Sequence, residues 1–204
     1  MNVKGRRQEY VEATRAALLD SASELFTEKG FAQTSLDEIA ASARLTKGAL
    51  YHHFASKQAL FEQVVQDVND RIANKVVGAG AATDAPWARL TRGLDAFLDA
   101  CLDPEYQRIC LQQAPVALGW ERCRELESRM MNLLDAMLQE LATAGEMRLQ
   151  PTPLLTRVLF RMVSEAAMAI GEAPDPEVVR TEVGTLVEEL LRSMRPETAD
   201  TAGA

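Results

Sequence analysis

Two helix-start signals, eleven positions apart, constrain the fold of this chain more than any other sequence feature. Ser35 and Glu38 form the S-x-x-E pattern of a capping box, in which each side chain accepts a backbone N–H at the start of a helix. Thr46 is a second N-cap, because its hydroxyl oxygen can accept an N–H one turn further on. The first helix therefore ends before Thr46, and the sequence predicts two short helices joined by a tight turn.

Apolar periodicity gives each of these helices a buried face. The apolar residues of the first helix recur at i, i+3, i+4 and i+7; they are Leu36, Ile39, Ala40 and Ala43. In the second helix, Leu50 and Phe54 fall on one side. Gly48, Ala49 and His52 centre on the opposite side, which leaves that side free to contact a partner.

The free side has the features of a helix that reads the DNA major groove. Lys47 supplies a cation, Gly48 has no side chain to block close approach, and the Ala49 methyl can contact a thymine methyl. Tyr51 and His53 lie on the flanks, where they can donate hydrogen bonds to phosphates. Alternatively, Tyr51 braces the helix and Gly48 only permits helix packing.

These features resemble the N-terminal domain of the TetR (tetracycline-repressor-like) family of bacterial transcription regulators. The chain contains the patterns G-F-x-x-T-S-L-x-x-I-A, A-x-L-T-K-G-A-L-Y-x-H-F and S-K-x-x-L in that order. The resemblance covers about a quarter of the chain. It implies an all-α fold, with an N-terminal three-helix helix-turn-helix domain followed by a C-terminal helical ligand-binding and dimerisation domain.

On this basis we expect ten residues to contact DNA: Thr34, Arg44, Thr46, Lys47, Gly48, Ala49, Tyr51, His52, His53 and Lys57. Arg44 stands in the turn where the family usually has glycine, so it adds a cation at some cost in backbone strain. Ser56 caps a third helix that begins at Lys57, which places an ammonium near free backbone amides. The adjacent histidines diverge by about 100° on a helix, which favours DNA contact over a shared metal.

The charge distribution confines the expected DNA contact to the N-terminal end. The chain carries a net charge of −8, but residues 1–57 hold eight Lys and Arg against seven Asp and Glu. The acidic remainder should repel DNA. Four further cations near the N-terminus add phosphate neutralisation; they are Lys4, Arg6, Arg7 and Arg15.

Apolar stripes and Gly or Pro breaks divide the 204 residues into segments. We predict a DNA-binding domain over 1–57, a long linking helix over 56–77, an effector-binding and dimerisation domain over 58–195, and a disordered tail over 196–204. The other predicted helices are Glu9–Lys29, Trp87–Cys101, Glu105–Gln113, Val116–Ala144, Pro153–Ile170 and Asp175–Met194.

The last two predicted helices are unusually apolar for the edge of a monomer. The family resemblance implies that they pair with a second copy in a four-helix interface, which would present two recognition helices to a near-palindromic operator. The interface residues expected are Leu155, Leu159, Met162, Val163, Val183, Leu186 and Leu190. Alternatively, both helices complete the core of their own chain.

The resemblance also implies an effector pocket in the second domain. Its candidate wall residues are Phe97, Cys101, Tyr106, Cys110, Trp120, Met130, Met137, Phe160 and Glu165. Aromatic and flexible sulfur side chains suit an apolar ligand, although each of them also fits plain core packing. If Glu165 lines the pocket, it would select a cationic or hydrogen-bonding effector. Alternatively, Glu165 faces solvent or pairs with an arginine across the dimer.

Other classes of protein find little support. The sequence lacks phosphate-binding and nucleophile motifs, so we expect no enzyme activity, cofactor or metal. The cysteines are Cys101, Cys110 and Cys123, and their spacings fit reduced thiols in a bacterial cytoplasm. We expect them to be buried small hydrophobic residues; alternatively, they sense the redox state. We find no signal peptide and no membrane span in the sequence.

We therefore expect a ligand-responsive transcriptional regulator. It would bind double-stranded DNA as a homodimer, act as a repressor, and be released by a small, largely apolar effector that shifts the long linking helix. The alternative is a helical ligand- or protein-binding adaptor that retains the helix-turn-helix as a scaffold.

Overall fold

The computed structural model describes residues 3–196, with side chains described from residue 8 onward. Those residues form ten α-helices and one π-helix, and they contain no β-strand, which confirms the all-α prediction. The α-helices are α1 (Val3–Lys29), α2 (Leu36–Ser42), α3 (Lys47–His53), α4 (Lys57–Gly80), α5 (Pro86–Ala100), α6 (Ala114–Leu118), α7 (Trp120–Leu126), α8 (Ser128–Thr143), α9 (Pro153–Glu172) and α10 (Pro176–Arg192). The π-helix (Tyr106–Gln113) lies between α5 and α6.

The chain divides into two compact units whose limits differ from the predicted domains. Unit 1 comprises the described residues up to Val68 together with Pro104–Arg124. Unit 2 comprises Asn69–Asp103 and the described residues from Glu125 onward. The predicted disordered tail lies outside the described residues after position 196, as do the side chains of Lys4, Arg6 and Arg7.

Unit 1 is organised around an aromatic cluster. The rings of Phe26 and Phe61 meet edge to face, with centroids 5.0 Å apart, and Phe31 packs 4.8 Å from Phe61. Such pairs add to the free energy gained by burying the rings. Other buried apolar side chains of unit 1 include Leu18, Ala22, Ile39, Leu50, Phe54, Leu60 and Val64. Val11, near the start of α1, is an apolar residue that is exposed.

The segment after α5 differs from the sequence prediction in helix type. Residues 106–113 are wound as a π-helix, and the N–H of Ala114 bonds to the carbonyl of Ile109 five positions earlier. The prediction of a single helix over Val116–Ala144 is wrong. Gly119 has φ +82, which stops α6, and Glu127 interrupts the helix between α7 and α8.

Unit 2 has a continuous apolar core between α5, α8, α9 and α10. Its buried members are Leu90, Leu138, Leu141, Met147, Leu159, Val187 and Leu191. Thr152 caps α9 by accepting the N–H of Leu155 at 3.1 Å, and Asp175 caps α10 by accepting the N–H of Val178 at 3.4 Å. Helix α4 continues to Gly80, three residues past the predicted end at residue 77, since a helical glycine costs only about 1 kcal/mol.

Candidate functional site

Both predicted caps are present at the starts of α2 and α3. The hydroxyl of Ser35 accepts the N–H of Glu38 at 3.2 Å, and Glu38 Oε2 accepts the N–H of Ser35 at 2.9 Å. Thr46 Oγ1 accepts the N–H of Ala49 at 3.2 Å. These bonds satisfy amides that have no partner within their own helix, so they fix where each helix begins.

The turn between α2 and α3 passes through Arg44. Arg44 has φ +57 and is the one non-glycine residue with positive φ among residues 3–196. The N–H of Leu45 then bonds to the carbonyl of Ala40 at 2.8 Å, which closes the end of α2. This is the left-handed geometry for which glycine is favoured, so the exposed arginine carries backbone strain at this position.

Helix α3 presents one face to the core and one to solvent. Leu50 is fully buried and Phe54 nearly so. The opposite side is exposed at Lys47, Gly48 and His52. The remaining predicted contacts on this element are also accessible, with Thr46 and Tyr51 exposed and Ala49 and His53 partly exposed.

Lys47 forms an ion pair with Asp37 in the first turn of α2. The ammonium Nζ lies 2.7 Å from Oδ1 and 2.9 Å from Oδ2 of the carboxylate. The hydrogen bond that Lys47 donates to Asp37 raises the pKa of Lys47, and the negative charge of Asp37 adds to that effect. This pair was missed in the sequence, where the two residues lie ten positions apart.

Thr34 is placed where it cannot contact DNA, which corrects the sequence prediction. Its side chain is fully buried, and its hydroxyl donates toward the carbonyls of Gly30 at 2.9 Å and Leu25 at 3.2 Å. Thr34 therefore closes the end of α1. The threonine of the G-F-x-x-T pattern is structural here.

Lys57 also has an internal role that differs from the predicted phosphate contact. Its ammonium donates to the carbonyls of Phe31 at 2.8 Å and Thr34 at 3.0 Å, with Ala32 at 3.4 Å. The same ammonium lies 4.5 Å from the centre of the Phe31 ring. Lys57 thus ties the start of α4 to the turn between α1 and α2.

The end of α3 combines a histidine with a stacked arginine. The guanidinium of Arg15 lies 5.5 Å from the centre of the Phe54 ring. Partial burial lowers the pKa of His53, and the neighbouring His52 and Arg15 lower it further. This shift favours the neutral ring of His53, which offers one N–H as a donor.

Unit 2 contains an apolar cavity of about 70 Å³. Four predicted pocket residues are in its wall: Phe97, Met130, Met137 and Phe160. The other lining residues are Val76, Leu90, Gly93, Leu94, Leu133, Leu134, Leu159, Met162, Val163, Ser164 and Leu191. Since the Ser164 hydroxyl donates to the carbonyl of Phe160 at 2.8 Å, the cavity offers almost no unsatisfied polar atom.

The other five predicted pocket residues lie elsewhere. Tyr106, Cys110 and Trp120 belong to unit 1, Cys101 is buried outside the cavity wall, and Glu165 is exposed. The prediction followed residue type alone. The helical spacing of Met130, Leu133, Leu134 and Met137 on α8 is the signal that would have found more of the wall.

The residues predicted at a dimer interface divide into two groups. Leu159 is buried in the core of unit 2, and Leu155, Met162, Val163 and Val183 pack against that core. Leu186 and Leu190 are exposed. Leu154, Val158 and Val178, outside that predicted set, are further exposed apolar residues on α9 and α10.

None of the described helices combines the length and the apolar character that a membrane-spanning segment needs. No group of three or more His, Cys, Asp or Glu side chains within 3–196 is placed to hold a metal ion.

Comparison with family models finds two matches in this chain. Residues 18–64 match the model described as bacterial regulatory proteins, tetR family, and residues 87–194 match the tetracyclin repressor-like C-terminal domain. The first match contains α2, α3 and the turn between them. The second contains most of the cavity wall.

Individual relatives agree with these matches. The transposon Tn10 TetC protein of Escherichia coli is 27% identical over 160 residues, which cover 78% of this chain and 81% of that protein. The biofilm operon icaADBC HTH-type negative transcriptional regulator IcaR of Staphylococcus aureus is 42% identical over 60 residues, 29% of this chain and 32% of that protein.

A solved structure extends the likeness to nearly the whole chain. It is a TetR-family transcriptional regulator from Pectobacterium atrosepticum, with a TM-score of 0.79 and 29% sequence identity. The alignment covers 93% of this chain and 97% of that one.

Proposed function

Because this chain belongs to the tetR family of bacterial regulatory proteins, we propose that it is a repressor that binds a palindromic operator as a homodimer and leaves it when a small apolar effector binds. That the chain is a DNA-binding transcriptional regulator follows from its membership of this family. The family consists of transcription regulators, which are not enzymes. IcaR is a negative regulator, and this supports repression.

The capped recognition helix α3 is the observation that carries the proposal. Its buried side anchors it through Leu50, while Lys47, Gly48 and Tyr51 are exposed together on the surface. A cation, an open backbone and a phenol at the entering end are suited to phosphate and base-edge contacts. We propose that these residues, with Arg44, contact the operator.

The exposed apolar residues of α9 and α10 support a homodimer. Leu154, Val158 and Val178 are each more than half exposed, as is Leu186. Soluble monomers rarely leave a large contiguous apolar surface in water. A two-fold pairing of these helices would bury them and bring two recognition helices to two half-sites.

The apolar cavity of unit 2 supports a small apolar effector. With Ser164 already bonded, a charged ligand would find no partner there and would lose its hydration. Helix α4 supplies Val76 to the cavity wall and Lys57 to the α1–α2 turn. We propose that effector binding shifts α4 and changes the spacing of the two recognition helices; a coupling of about 2 kcal/mol would weaken DNA binding roughly thirtyfold.

Selection from a random duplex library tests the DNA-binding part of the proposal. We expect the wild-type protein to enrich a palindrome with two half-sites. Lys47→Gln/Tyr51→Phe should lose this enrichment, whereas Lys75→Gln, which removes an exposed cation of unit 2, should keep it. Folded wild-type protein that enriches no sequence would favour the adaptor alternative, which the net charge of −8 supports.

Substitutions at two glycines, one in the cavity wall and one outside it, test the effector site. A Cβ at position 93 would lie 3.2 Å from Val76 Cγ1 and 3.4 Å from Met137 Cε, whereas a Cβ at position 78 meets no atom within 4 Å. Gly93→Ala should therefore reduce the affinity for an apolar effector about tenfold, and Gly78→Ala should not. If Gly93→Ala and Gly78→Ala bind the effector with equal affinity, the effector binds outside this cavity.

A further inference from the structure

The two acidic residues in the first turn of α2 each hold a lysine, but they do so in different settings. Glu38 binds Lys29 at 2.9 Å and also completes the capping box with Ser35. Asp37 takes no part in that box, and the partner found for its carboxylate within the described chain is Lys47. Glu38 is therefore required by the fold of α2, whereas Asp37 is available for another role.

The Asp37–Lys47 pair lies at the surface and is free to exchange. The two side chains are 64% and 57% exposed. An ion pair in water at this exposure contributes little to folding stability. The main effect of the pair is that Lys47 already has an anionic partner. Both carboxylate oxygens of Asp37 hold its ammonium, in the way that the oxygens of a phosphate would.

The position of this pair places it at the proposed operator contact. Lys47 is the first residue of α3, directly after the Thr46 cap. Its exposed ammonium is thus at the start of the recognition helix, on the side that we propose contacts DNA, where it can pair with a phosphate. The other lysine of this region, Lys57, is held by backbone carbonyls.

We propose that Asp37 is an internal competitor for DNA, which holds the Lys47 ammonium when no operator is bound and thereby lowers the affinity for non-specific DNA. This inference rests on the proposed function. On any duplex, Lys47 must leave Asp37 before it binds a phosphate, and the released carboxylate then lies close to the phosphate backbone and repels it. Because the cost is the same on every duplex, it lowers all affinities by the same factor. Base contacts made elsewhere on α3 offset it on the operator, whereas non-specific duplexes, which are bound mainly through phosphates, have no such compensation.

The test compares Asp37→Asn with the wild type and with Asp20→Asn, which removes another exposed aspartate on α1. The probes are a fluorescent random-sequence duplex and the duplex enriched by selection from the random library. Fluorescence anisotropy is measured over a range of salt concentrations. Circular dichroism melting of each variant shows whether it is folded.

We expect Asp37→Asn to bind the random duplex about three- to tenfold more tightly than wild type, with a similar gain on the enriched duplex. The slope of log affinity against log salt should change by less than about 0.9, because Lys47 makes one phosphate contact in both proteins. Asp20→Asn should change neither quantity comparably. In a Lys47→Gln background, Asp37→Asn should have little effect, because the ammonium that it frees is absent.

Each other outcome overturns the inference. Unchanged affinity and slope in Asp37→Asn, with operator binding intact in the wild type, would leave the proposed function standing and remove the role of Asp37. If Asp37→Asn raises the DNA affinity equally in the Lys47→Gln background, then Asp37 only repels the DNA phosphates and does not compete with them for Lys47. A loss of affinity for the enriched duplex would show that Asp37 accepts a hydrogen bond from a base. Absence of DNA binding by all folded variants would refute the proposed function and this inference together.

Discussion

The side-chain carbonyl oxygen of Gln113 accepts a hydrogen bond from the backbone N–H of Phe31 at 2.7 Å. The amide nitrogen of the same side chain donates to the carbonyl of Phe26 at 3.0 Å. Arg108, one turn earlier, donates to the carbonyl of Thr27 at 2.6 Å. The π-helix therefore caps the C-terminal end of α1, where helix carbonyls have no partners of their own.

Gln113→Leu should destabilise the protein by about 1–3 kcal/mol, since it removes the partner of the Phe31 N–H and one of the two hydrogen bonds to the carbonyl of Phe26, which still accepts the N–H of Gly30. Urea unfolding followed by circular dichroism measures the change. Gln112→Leu is the matched control, because Gln112 is exposed, and it should stay within about 0.5 kcal/mol of wild type. Equal effects of the two substitutions would mean that the cap contributes nothing to stability.

Arg44→Gly should be more stable than Arg44→Ala by about 1 kcal/mol, because alanine keeps the cost of φ +57 and glycine does not. Both variants lose the same cation, so both should lose a similar amount of DNA affinity. Thermal unfolding and duplex binding of the pair separate the two effects. Equal melting temperatures would show that the turn relaxes around alanine.

The pH dependence of stability should contain a contribution from Glu38. The hydrogen bond from Lys29, followed by those from Ser35, lowers the pKa of Glu38 from 4.5 to about 2. A carboxyl with a lowered folded-state pKa stabilises the fold above its unfolded pKa, and this stability is lost as the pH falls. Wild type should therefore lose stability between about pH 5 and pH 2 more steeply than Glu38→Gln. Glu24→Gln, at an exposed site, should follow wild type.

Cys101 should resist alkylation in the folded protein. Burial raises its pKa to about 12, and Arg180 nearby only partly opposes this effect. At pH 8 its thiolate fraction is then roughly a thousandfold below that of an ordinary cysteine. Iodoacetamide labelling with peptide mass spectrometry should modify the partly exposed Cys110 first, and Cys101 only after unfolding. Fast labelling of Cys101 in folded protein would contradict the burial effect.

Local signals predicted the helix-turn-helix well. Ser35, Glu38 and Thr46 act on amides within one helical turn, so their effect depends on three or four neighbouring residues and can be inferred from spacing. The buried sides of α2 and α3 follow from periodicity for the same reason. The prediction was wrong for Thr34, and the internal hydrogen bonds of Lys57 were not foreseen, because the carbonyls that both residues bond become available only when α1 ends and α4 packs beside the turn.

The wall of the cavity in unit 2, by contrast, was predicted poorly from the sequence. Met130 and Met137 share a face of α8 by their spacing, but Tyr106 and Trp120 were grouped with them only because their residue types suit an apolar pocket. The break at Gly119 and the π-helix before it place the latter two in a different compact unit. No local pattern of residue types indicates which unit a short helix joins.

The sequence by itself determined the all-α fold, the caps of the helix-turn-helix and the exposed face of α3, because each depends on interactions between residues close together in the chain. Only the tertiary structure decided that Gln113 caps α1, that Lys57 holds a turn and that Asp37 holds Lys47. These pairs are joined by packing, and the partner of a polar side chain depends on which backbone and side-chain atoms the packing brings within hydrogen-bond distance.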